Sequence, residues 1–326
     1  MVSVAENIYP ILQREQTVIL ESTVYPGATD ELVAPILAKS GLKVGEDVYL
    51  AFSPERVDPG NRKFGLSQIP KLVGGINPAS TKRAVEFYQN VFPTVLPLAS
   101  TKEAEMAKLL ENTFRAVNIG LVNELAVMSH EMGIDFWQVV DAAATKPFGF
   151  MPFYPGPGWG GHCIPIDPFY LSWRAKANGL EAGFIEYAGL INNRMPAYVV
   201  RRVAGLLNDR KKCLRDSRVM LLGVAYKRDV GDIRESPALE IITDLERQGA
   251  VVTYHDPHIP SFQHGDRQWQ SQPLDAATLQ AQDCVVIVTD HSCFDYAAIV
   301  QHSNLVFDTR NATRQVRNGH GNVAML

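Results

Sequence analysis

The segment 145–168 constrains the fold most, because six of its 24 residues are proline and five are glycine. Proline lacks a backbone donor and glycine favours turns, so neither a helix nor a strand can continue through such a segment. Its five aromatic residues argue against disorder. Long irregular segments inside folded chains are usually functional. We therefore predict an ordered, functional loop between two folded parts.

Short apolar runs alternate with helical patterns on both sides of this loop, which is typical of an α/β protein with parallel sheets. Before the loop, strands are predicted at 17–23, 48–53, 71–75 and 95–99, and helices at 28–40 and 78–92. After the loop, strands are predicted at 218–226, 251–257, 283–290 and 304–310. A helix is predicted to begin directly after Ser236, which is its N-terminal cap.

A helix of about 29 residues is predicted to begin at Ser100, which forms a capping box with Glu103. Its apolar residues recur every three or four positions and so form one stripe: Leu110, Phe114, Val117, Leu121, Leu125 and Met128. Such a helix spans roughly 44 Å. That length suits a connector or a dimer interface.

Composition excludes several classes of protein. With a net charge of -4 over 326 residues, no basic excess is present to bind nucleic acid. No apolar run is long enough for a membrane span, and the first residues do not form a secretory signal. The four cysteines are too scattered for a disulfide framework. We therefore expect a cytoplasmic protein without a membrane partner.

The glycine-rich turn that holds a dinucleotide phosphate is missing at its usual place, between an early strand and a helix. The pattern G-x-G-x-x-G occurs at Gly156, Gly158 and Gly161. It follows prolines rather than a strand, and it precedes Cys-Ile-Pro rather than a helix. We therefore predict no phosphate loop in this sequence.

Cys163 is the strongest candidate for chemistry. The glycines before it leave backbone N–H groups free, and a thiolate near such groups or near positive charge is a nucleophile. The alternative role is a small buried apolar residue. Asp167, four residues later, could act as a general base or could cap the following helix. The spacing of His162, Cys163 and Asp167 matches no zinc pattern, so no metal site is predicted.

Further candidates lie where open α/β sheets bind ligands, at strand ends and helix starts. They are Thr23 and Glu55 after two predicted strands, Lys108 and Asn112 on one face of the long helix, Lys227 and Arg234 in the loop before Ser236, and Arg310 after the last strand. Each of them alone could be an ordinary polar residue at the protein surface. His255 and His258 flank a proline turn and are interpreted as loop residues.

Taken together, five motifs resemble the UDP-glucose/GDP-mannose dehydrogenase family in family order. These are ESTVYPGATDE, SPERVDPGN, AEMAKLLENTFRAVNIGLVNELA, YPGPGWGGHCIPIDPFYL and GVAYKRDVGDIRESPA. The GGHCIPIDPFYL motif is highly specific. The SPERVDPG motif and the TKPFGFMPFYPGPG loop are most similar to the branch that acts on UDP-N-acetylhexosamines.

Two departures from the family pattern stand out. The glycine fingerprint is missing, and the sequence resembles the family only from partway through its NAD-binding domain, so we expect an N-terminally truncated member. On this expectation, residues 1–99 are a remnant of the NAD-binding Rossmann domain. Residues 100–205 are a central helical domain for dimerisation and the catalytic loop, and residues 206–326 are a UDP-sugar-binding α/β domain. The second departure is Pro59, where UDP-glucose enzymes have a glutamate.

The resemblance implies an NAD-dependent, four-electron oxidation of a UDP-N-acetylhexosamine C6 alcohol to the carboxylate, in the service of surface polysaccharide synthesis. Cys163 would form a thiohemiacetal and then a thioester. Lys108 and Asn112 would stabilise the oxyanion and contact the substrate, and Asp167 would activate water. Thr23 and Glu55 would order water, the sugar and the cofactor. Lys227 and Arg310 would contact the substrate, and Arg234 would contact the phosphates of the cofactor. A homodimer through the long helix is also implied.

Two other functions remain open at this stage. A truncated chain could be a non-catalytic remnant that binds UDP-sugar or dimerises without binding NAD. A dehydrogenase of the 3-hydroxyacid or 6-phosphogluconate type also places Lys and Asn four residues apart on a helix. The loop cysteine and the second α/β part count against that last alternative.

Overall fold

The computed structural model describes residues 1–57, 65–316 and 321–326. The chain forms two compact units, the first made of residues 1–114 with 166–182 and the second of residues 115–165 with 183–326. The domain boundaries at 99 and 205 stay predictions. Within the described ranges, no helix combines the length and the apolar character that a bilayer crossing requires.

The first unit contains a four-stranded sheet in the order β1 (Thr17–Leu20), β2 (Tyr49–Phe52), β3 (Lys71–Gly75) and β4 (Val95–Leu98). The pairs β1–β2 and β3–β4 are parallel, as predicted. The pair β2–β3 is antiparallel, so the prediction of a parallel sheet is wrong there. Parallel neighbours need a crossover, usually a helix. The described part of the β2–β3 connection has only a 3₁₀ turn, Leu66–Gln68.

Three helices pack around this sheet: α1 (Val2–Ile8), α2 (Ala34–Leu37), which continues a π-helical turn at Thr29–Val33, and α3 (Pro78–Tyr88). The Asn77 side chain accepts the Ser80 N–H and so caps α3. The helical segment from Thr29 links β1 to β2, which is why these two strands run parallel and end side by side.

Helix α4 (Thr101–Glu131) has 31 residues and spans roughly 46 Å. The Glu103 carboxylate accepts from the Ser100 hydroxyl and from backbone at Ser100, so the predicted start is confirmed. Leu110, Phe114, Leu121 and Met128 are all exposed on its surface. The remaining helices of the middle region are α5 (Phe136–Ala144), α6 (Asp167–Ala177) and α7 (Gly183–Asp209).

The second unit contains a parallel sheet in the order β11 (Val323–Met325), β10 (Val306–Asp308), β9 (Cys284–Ile287), β5 (Arg218–Leu222) and β6 (Val251–His255). Its helices are α8 (Pro237–Arg247), α9 (Ala276–Gln280) and α10 (Tyr296–His302), and a hairpin of β7 (Ser261–His264) and β8 (Arg267–Gln270) was not predicted. Strands β9 and β10 are buried at every residue, which confirms the predicted core position of Cys284.

Candidate active site

The loop 145–168 has no helix or strand before Asp167, as its proline and glycine content predicts. It is nevertheless held by hydrogen bonds from its own residues to the neighbouring helices. The Gly156 N–H donates to Asn123 Oδ1 at 2.9 Å, and the Trp159 indole N–H donates to Asn193 Oδ1 at 2.8 Å. Asn123 in turn donates to Asn192 at 2.8 Å. The loop is therefore fastened to α4 and α7 ahead of Cys163.

Two glycines let the cysteine loop pack closely on the loop between β5 and α8. The Gly161 N–H donates to the Arg234 carbonyl at 3.0 Å. A methyl group at Gly161 would lie 2.8 Å from the Tyr226 ring, and one at Gly160 would lie 2.8 Å from the Glu235 carbonyl. Gly161 also has a φ of +84°, which disfavours other residues. Glycine is required here because a larger residue would push the loops apart.

Cys163 is half-buried at the end of this glycine run and is not part of a disulfide. Arg234, whose carbonyl accepts the Gly161 N–H, makes a forked guanidinium contact with Asp232, with a shortest distance of 2.6 Å. The pKa of Arg234 is raised, first by the hydrogen bond to Asp232 and further by the negative charge of Cys163. The thiolate is the form of a cysteine that acts as a nucleophile.

The loop between β5 and α8 carries the other predicted ligands of the second unit. Lys227 is half-buried near its start, and Ser236 ends it by accepting the Ala238 N–H, which confirms the predicted cap. Arg310 follows β10, and its Nε donates to the Val288 carbonyl at 2.8 Å. A methyl group at Gly156 would lie 2.5 Å from the Arg310 guanidinium, so that glycine makes room for it. Burial lowers the pKa of Arg310.

In the first unit, Lys108 and Asn112 lie on one face of α4, as their spacing predicts. The Asn112 amide donates to Asp167 Oδ2 at 2.6 Å, and both side chains are buried. Asp167 is the first residue of α6, and the cap position falls on Ile166, which contributes no side-chain bond. The Asp167 carboxylate therefore faces Asn112.

Sequence reasoning missed Glu105, although it shares a helix face with Lys108 and Asn112 at i, i+3 and i+7. Its carboxylate is fully buried and accepts three hydrogen bonds. Gly27 N–H donates at 2.5 Å, Thr29 N–H at 2.9 Å and the Thr29 hydroxyl at 2.6 Å. Burial raises the pKa of Glu105 against the opposing effect of these bonds.

Thr23 and Glu55 follow the carboxyl ends of β1 and β2, so the structure places both at one edge of the sheet. Thr23 is half-buried and Glu55 is exposed. The next residue, Arg56, donates to Glu111 Oε1 of α4 at 2.6 Å and to the Pro70 carbonyl at 2.7 Å. Pro59 lies outside the described residues.

A second group that the sequence did not indicate lies at this edge. The buried Lys71 ammonium is 2.9 Å from Glu21 Oε1, and the Tyr88 hydroxyl donates to the same oxygen at 2.7 Å. Burial would raise the pKa of Glu21, but the bonds from Lys71 and Tyr88 outweigh it and lower the pKa. Glu21 is therefore a carboxylate at neutral pH.

Asp229, His258 and His291 bring three possible metal-binding atoms within 4.8 Å of one another. Both ring nitrogens of His291 are already engaged, because Nδ1 accepts the Asp229 N–H at 3.0 Å and Nε2 lies 3.1 Å from Asp256. A metal would have to displace the Asp229 N–H. We therefore interpret this cluster as structural.

Asp256 is the centre of that cluster. Its Oδ2 accepts the Val224 and Ala225 N–H groups, and its Oδ1 accepts the His258 and Ile259 N–H groups, in addition to the bond with His291. Burial would raise the pKa of Asp256, but these hydrogen bonds outweigh it and lower the pKa to about 2.

The residues at the edge of the first sheet suit the reactive end of a dinucleotide, because open α/β sheets bind ligands beyond adjacent parallel strands. Dinucleotide phosphates need free backbone N–H groups at a helix start. At the helical segment after β1, the Gly27 and Thr29 N–H groups are already bonded to Glu105. The described residues show no phosphate-binding turn after β1, and contact of Thr23 and Glu55 with a dinucleotide stays a prediction.

Sequence models of a single family match along the chain. The UDP-glucose/GDP-mannose dehydrogenase family, NAD binding domain, matches residues 1–92. The central domain of that family matches residues 102–194, and its UDP binding domain matches residues 220–315. Residues 1–92, where only a remnant of the NAD-binding domain was expected, are thus themselves matched as the NAD binding domain.

The chain is also similar to individual proteins of this kind. It is 36% identical over 296 residues to a UDP-N-acetyl-D-glucosamine 6-dehydrogenase of Pseudomonas aeruginosa, covering 90% of this chain and 69% of that protein. It is 34% identical over 319 residues to a UDP-N-acetyl-D-mannosamine dehydrogenase of Methanococcus maripaludis, covering 95% and 70%. A UDP-D-ManNAc dehydrogenase structure from Pyrococcus horikoshii superposes with a TM-score of 0.88 at 30% identity, covering 99% and 75%.

Proposed function

We propose a reaction for this chain on the premise of its family: the chain belongs to the UDP-glucose/GDP-mannose dehydrogenase family and is an NAD-dependent dehydrogenase. The proposed reaction is the four-electron oxidation of the C6 alcohol of a UDP-N-acetylhexosamine to the carboxylate. The observation that carries the proposal is Cys163, a half-buried thiol beside Arg234 on a loop that packs on the UDP binding domain through Gly160 and Gly161.

The proposed substrate class comes from the relatives. Two of them are named for UDP-N-acetyl-D-glucosamine and UDP-N-acetyl-D-mannosamine, and both align with at least 90% of this chain. The second unit contains the matched UDP binding domain, with Lys227 in the loop after β5 and Arg310 in the segment after β10. We assign these two cations to the substrate, since diphosphates are bound by such groups.

The cysteine explains how one protein could oxidise an alcohol twice. Bound NAD would supply the hydride acceptor for each of the two oxidations. After the first oxidation, the Cys163 thiolate adds to the aldehyde carbon and forms a tetrahedral thiohemiacetal, which can give up a second hydride. The resulting thioester is attacked by water, which releases the carboxylate and returns the thiolate. The addition turns the aldehyde carbon into one that carries both a hydroxyl and a hydrogen, which is what the loss of a second hydride requires.

The remaining candidates would stabilise negative charge, move protons, and order water and the bound molecules. We assign Lys108 and Asn112 to stabilise developing oxyanions, as a preorganised cation and an N–H donor can. Asp167, bonded to Asn112, would act with Lys108 in moving protons and activating water. Thr23 and Glu55 would order water, the sugar and the nicotinamide end of NAD. Arg234 would contact the cofactor phosphates.

The exposed apolar stripe of α4 supports a homodimer. Leu110, Leu121 and Met128 are each at least half exposed on a helix of 31 residues. Monomeric proteins rarely leave such a continuous apolar face in water. We therefore propose that a second copy of the chain covers this stripe.

The purified chain should be incubated with NAD and, separately, with UDP-N-acetylglucosamine, UDP-N-acetylgalactosamine, UDP-N-acetylmannosamine and UDP-glucose. We expect one or more of the acetylated sugars to give two NADH per uronic acid, measured by absorbance and mass spectrometry. UDP-glucose should react poorly. UDP-sugar binding by calorimetry without any NADH would overturn the proposal and would favour a protein that only binds the sugar nucleotide.

A further inference from the structure

Helix α4 makes two separate contacts with the segments that follow β1 and β2. Glu105 bonds to Gly27 and Thr29, which lie a few residues beyond Thr23. Glu111 bonds to Arg56, the residue after Glu55. Lys108 lies between these two glutamates on α4, and Asn112 follows the second. The helix that carries two of the candidate catalytic residues thus also bonds to the segments that carry two others.

We propose that Glu105 and Glu111 are positioning residues, which fix the segments of Thr23 and Glu55 against the turns of α4 that carry Lys108 and Asn112. The catalytic part of this inference rests on the proposed function. The two contacts themselves are independent of it. Neither glutamate needs to touch substrate to act in this way.

The Glu105 contact is strong for a physical reason. A buried carboxylate without donors is costly, and a hydrogen bond to a charged group is worth more than a neutral one. Glu105 is fully buried, so Gly27 and Thr29 cannot move away without leaving its charge unpaired. The segment is thereby held in one place relative to Lys108, three residues further along the same helix.

Glutamine is the informative replacement at this position. Glu105→Gln keeps the shape of the side chain but replaces one accepting oxygen with an NH₂ group. That NH₂ group would face either the Gly27 N–H or the Thr29 N–H, so that two donors would point at each other with no acceptor between them. The variant therefore weakens the contact without creating a cavity. Glu131→Gln is the matched control, since Glu131 is an exposed glutamate on the same helix.

The Arg56 contact offers a second variant. Arg56 donates through Nε and Nη2 to the same oxygen of Glu111, at 3.0 and 2.6 Å, and through Nη1 to the Pro70 carbonyl at 2.7 Å. Lysine keeps the charge but cannot make this set of bonds. Arg56→Lys should therefore loosen the Glu55 segment while leaving the net charge unchanged.

The experiment measures amide hydrogen exchange and steady-state kinetics on the full chain. In Glu105→Gln, peptides covering residues 24–33 should exchange about tenfold faster or more. The kcat for the UDP-N-acetylhexosamine should fall about 10- to 100-fold, with KM within about threefold, because small misplacements of reacting groups cost rate more than affinity. Arg56→Lys should lower kcat in the same way, and Glu131→Gln should match the wild type in both measurements.

Two outcomes would overturn the proposal. One is unchanged exchange of residues 24–33 in Glu105→Gln, which would mean that this bond does not hold the segment. The other is faster exchange with a wild-type kcat, which would mean that the position of the segment is irrelevant to the reaction. A wild-type chain that oxidises none of the UDP-sugars would instead refute the proposed function, and the exchange measurement would still decide whether Glu105 holds the segment.

Discussion

The amide nitrogen of Asn112 lies 2.6 Å from a carboxylate oxygen of Asp167, and both side chains are buried. This bond joins α4 to the first turn of α6. It also sets the orientation of the carboxylate that we propose to act with Lys108.

Asn112→Ala and Asp167→Asn should separate the structural and chemical roles of this pair. Asn112→Ala removes a donor from a buried carboxylate, so we expect it to lower the free energy of unfolding by about 1–3 kcal/mol. Asp167→Asn can still accept the bond, so stability should change little while kcat falls about 100-fold or more. Urea denaturation and NADH production measure the two effects. A stable but inactive Asn112→Ala would contradict the structural part.

Cys163→Ser should abolish formation of the uronic acid, because a serine hydroxyl is a far weaker nucleophile than a thiolate. The product should stop at the aldehyde stage, detected by mass spectrometry with a carbonyl trap. Cys213→Ser is the control, since Cys213 is exposed. Normal acid production by Cys163→Ser would refute the assignment of the nucleophile.

Gly161→Ala should lower kcat about tenfold or more, because the new methyl group would lie 2.8 Å from the Tyr226 ring. Gly179→Ala is a matched control: its φ is +73°, similar to the +84° of Gly161, but no atom lies within 4 Å of the new methyl group. Both variants therefore carry the same backbone strain. Equal losses of activity in the two would show that strain, rather than crowding against Tyr226, is responsible.

Leu121→Glu should convert the proposed dimer to a monomer, because Leu121 lies in the apolar stripe of α4 and is 50% exposed. A buried charge at the centre of an apolar interface is costly. Sedimentation velocity measures the mass in solution. Ile11→Glu is the control, since Ile11 is exposed elsewhere in the chain. A wild-type chain that sediments as a monomer would rule out the dimer.

The lowered pKa of Asp256 predicts a loss of stability in acid. Its pKa is about 2 when folded and 3.8 at the reference value. The Asp256 carboxyl therefore binds its proton less tightly in the folded state than in the unfolded state. The ionised Asp256 stabilises the folded state fully above about pH 4, and this contribution is lost as the pH falls through about 2. The loss is about 2 kcal/mol, from 1.36 kcal/mol per pKa unit. Urea unfolding between pH 6 and pH 2 tests this.

Asp256→Asn is the reference for that titration, because its amide has no proton to gain in this range. The difference in unfolding free energy between wild type and Asp256→Asn should shrink as the pH falls. A constant difference from pH 6 to pH 2 would mean that Asp256 has an ordinary pKa in the folded protein.

The sequence predicted well those features whose signals are local. The strand at 71–75 is observed at Lys71–Gly75, and the irregular loop before Cys163 follows from its own prolines and glycines. The antiparallel pairing of β2 and β3 could not be predicted, because apolar runs do not encode direction. The direction depends on the connection, whose described part contains only a 3₁₀ turn.

Contacts between distant residues account for most of what was missed at the candidate site. Glu105 bonds to residues 76 and 78 positions away, and a sequence without its fold holds no signal for such partners. Only the spacing of Glu105, Lys108 and Asn112 on one helix face could have indicated it. The contact between Glu21 and Lys71 was missed for the same reason, because the two residues meet only when β1 and β3 are part of one sheet.

The Glu105 contact also bears on how freely this region can vary among descendants of the protein. Two of its three bonds come from peptide groups, which every amino acid except proline supplies equally. Substitutions at Tyr25 or Pro26 leave those peptide groups in place, so a lineage could remodel the residues around Thr23 without losing the anchor. Proline at position 27 or 29 is the change that this arrangement forbids.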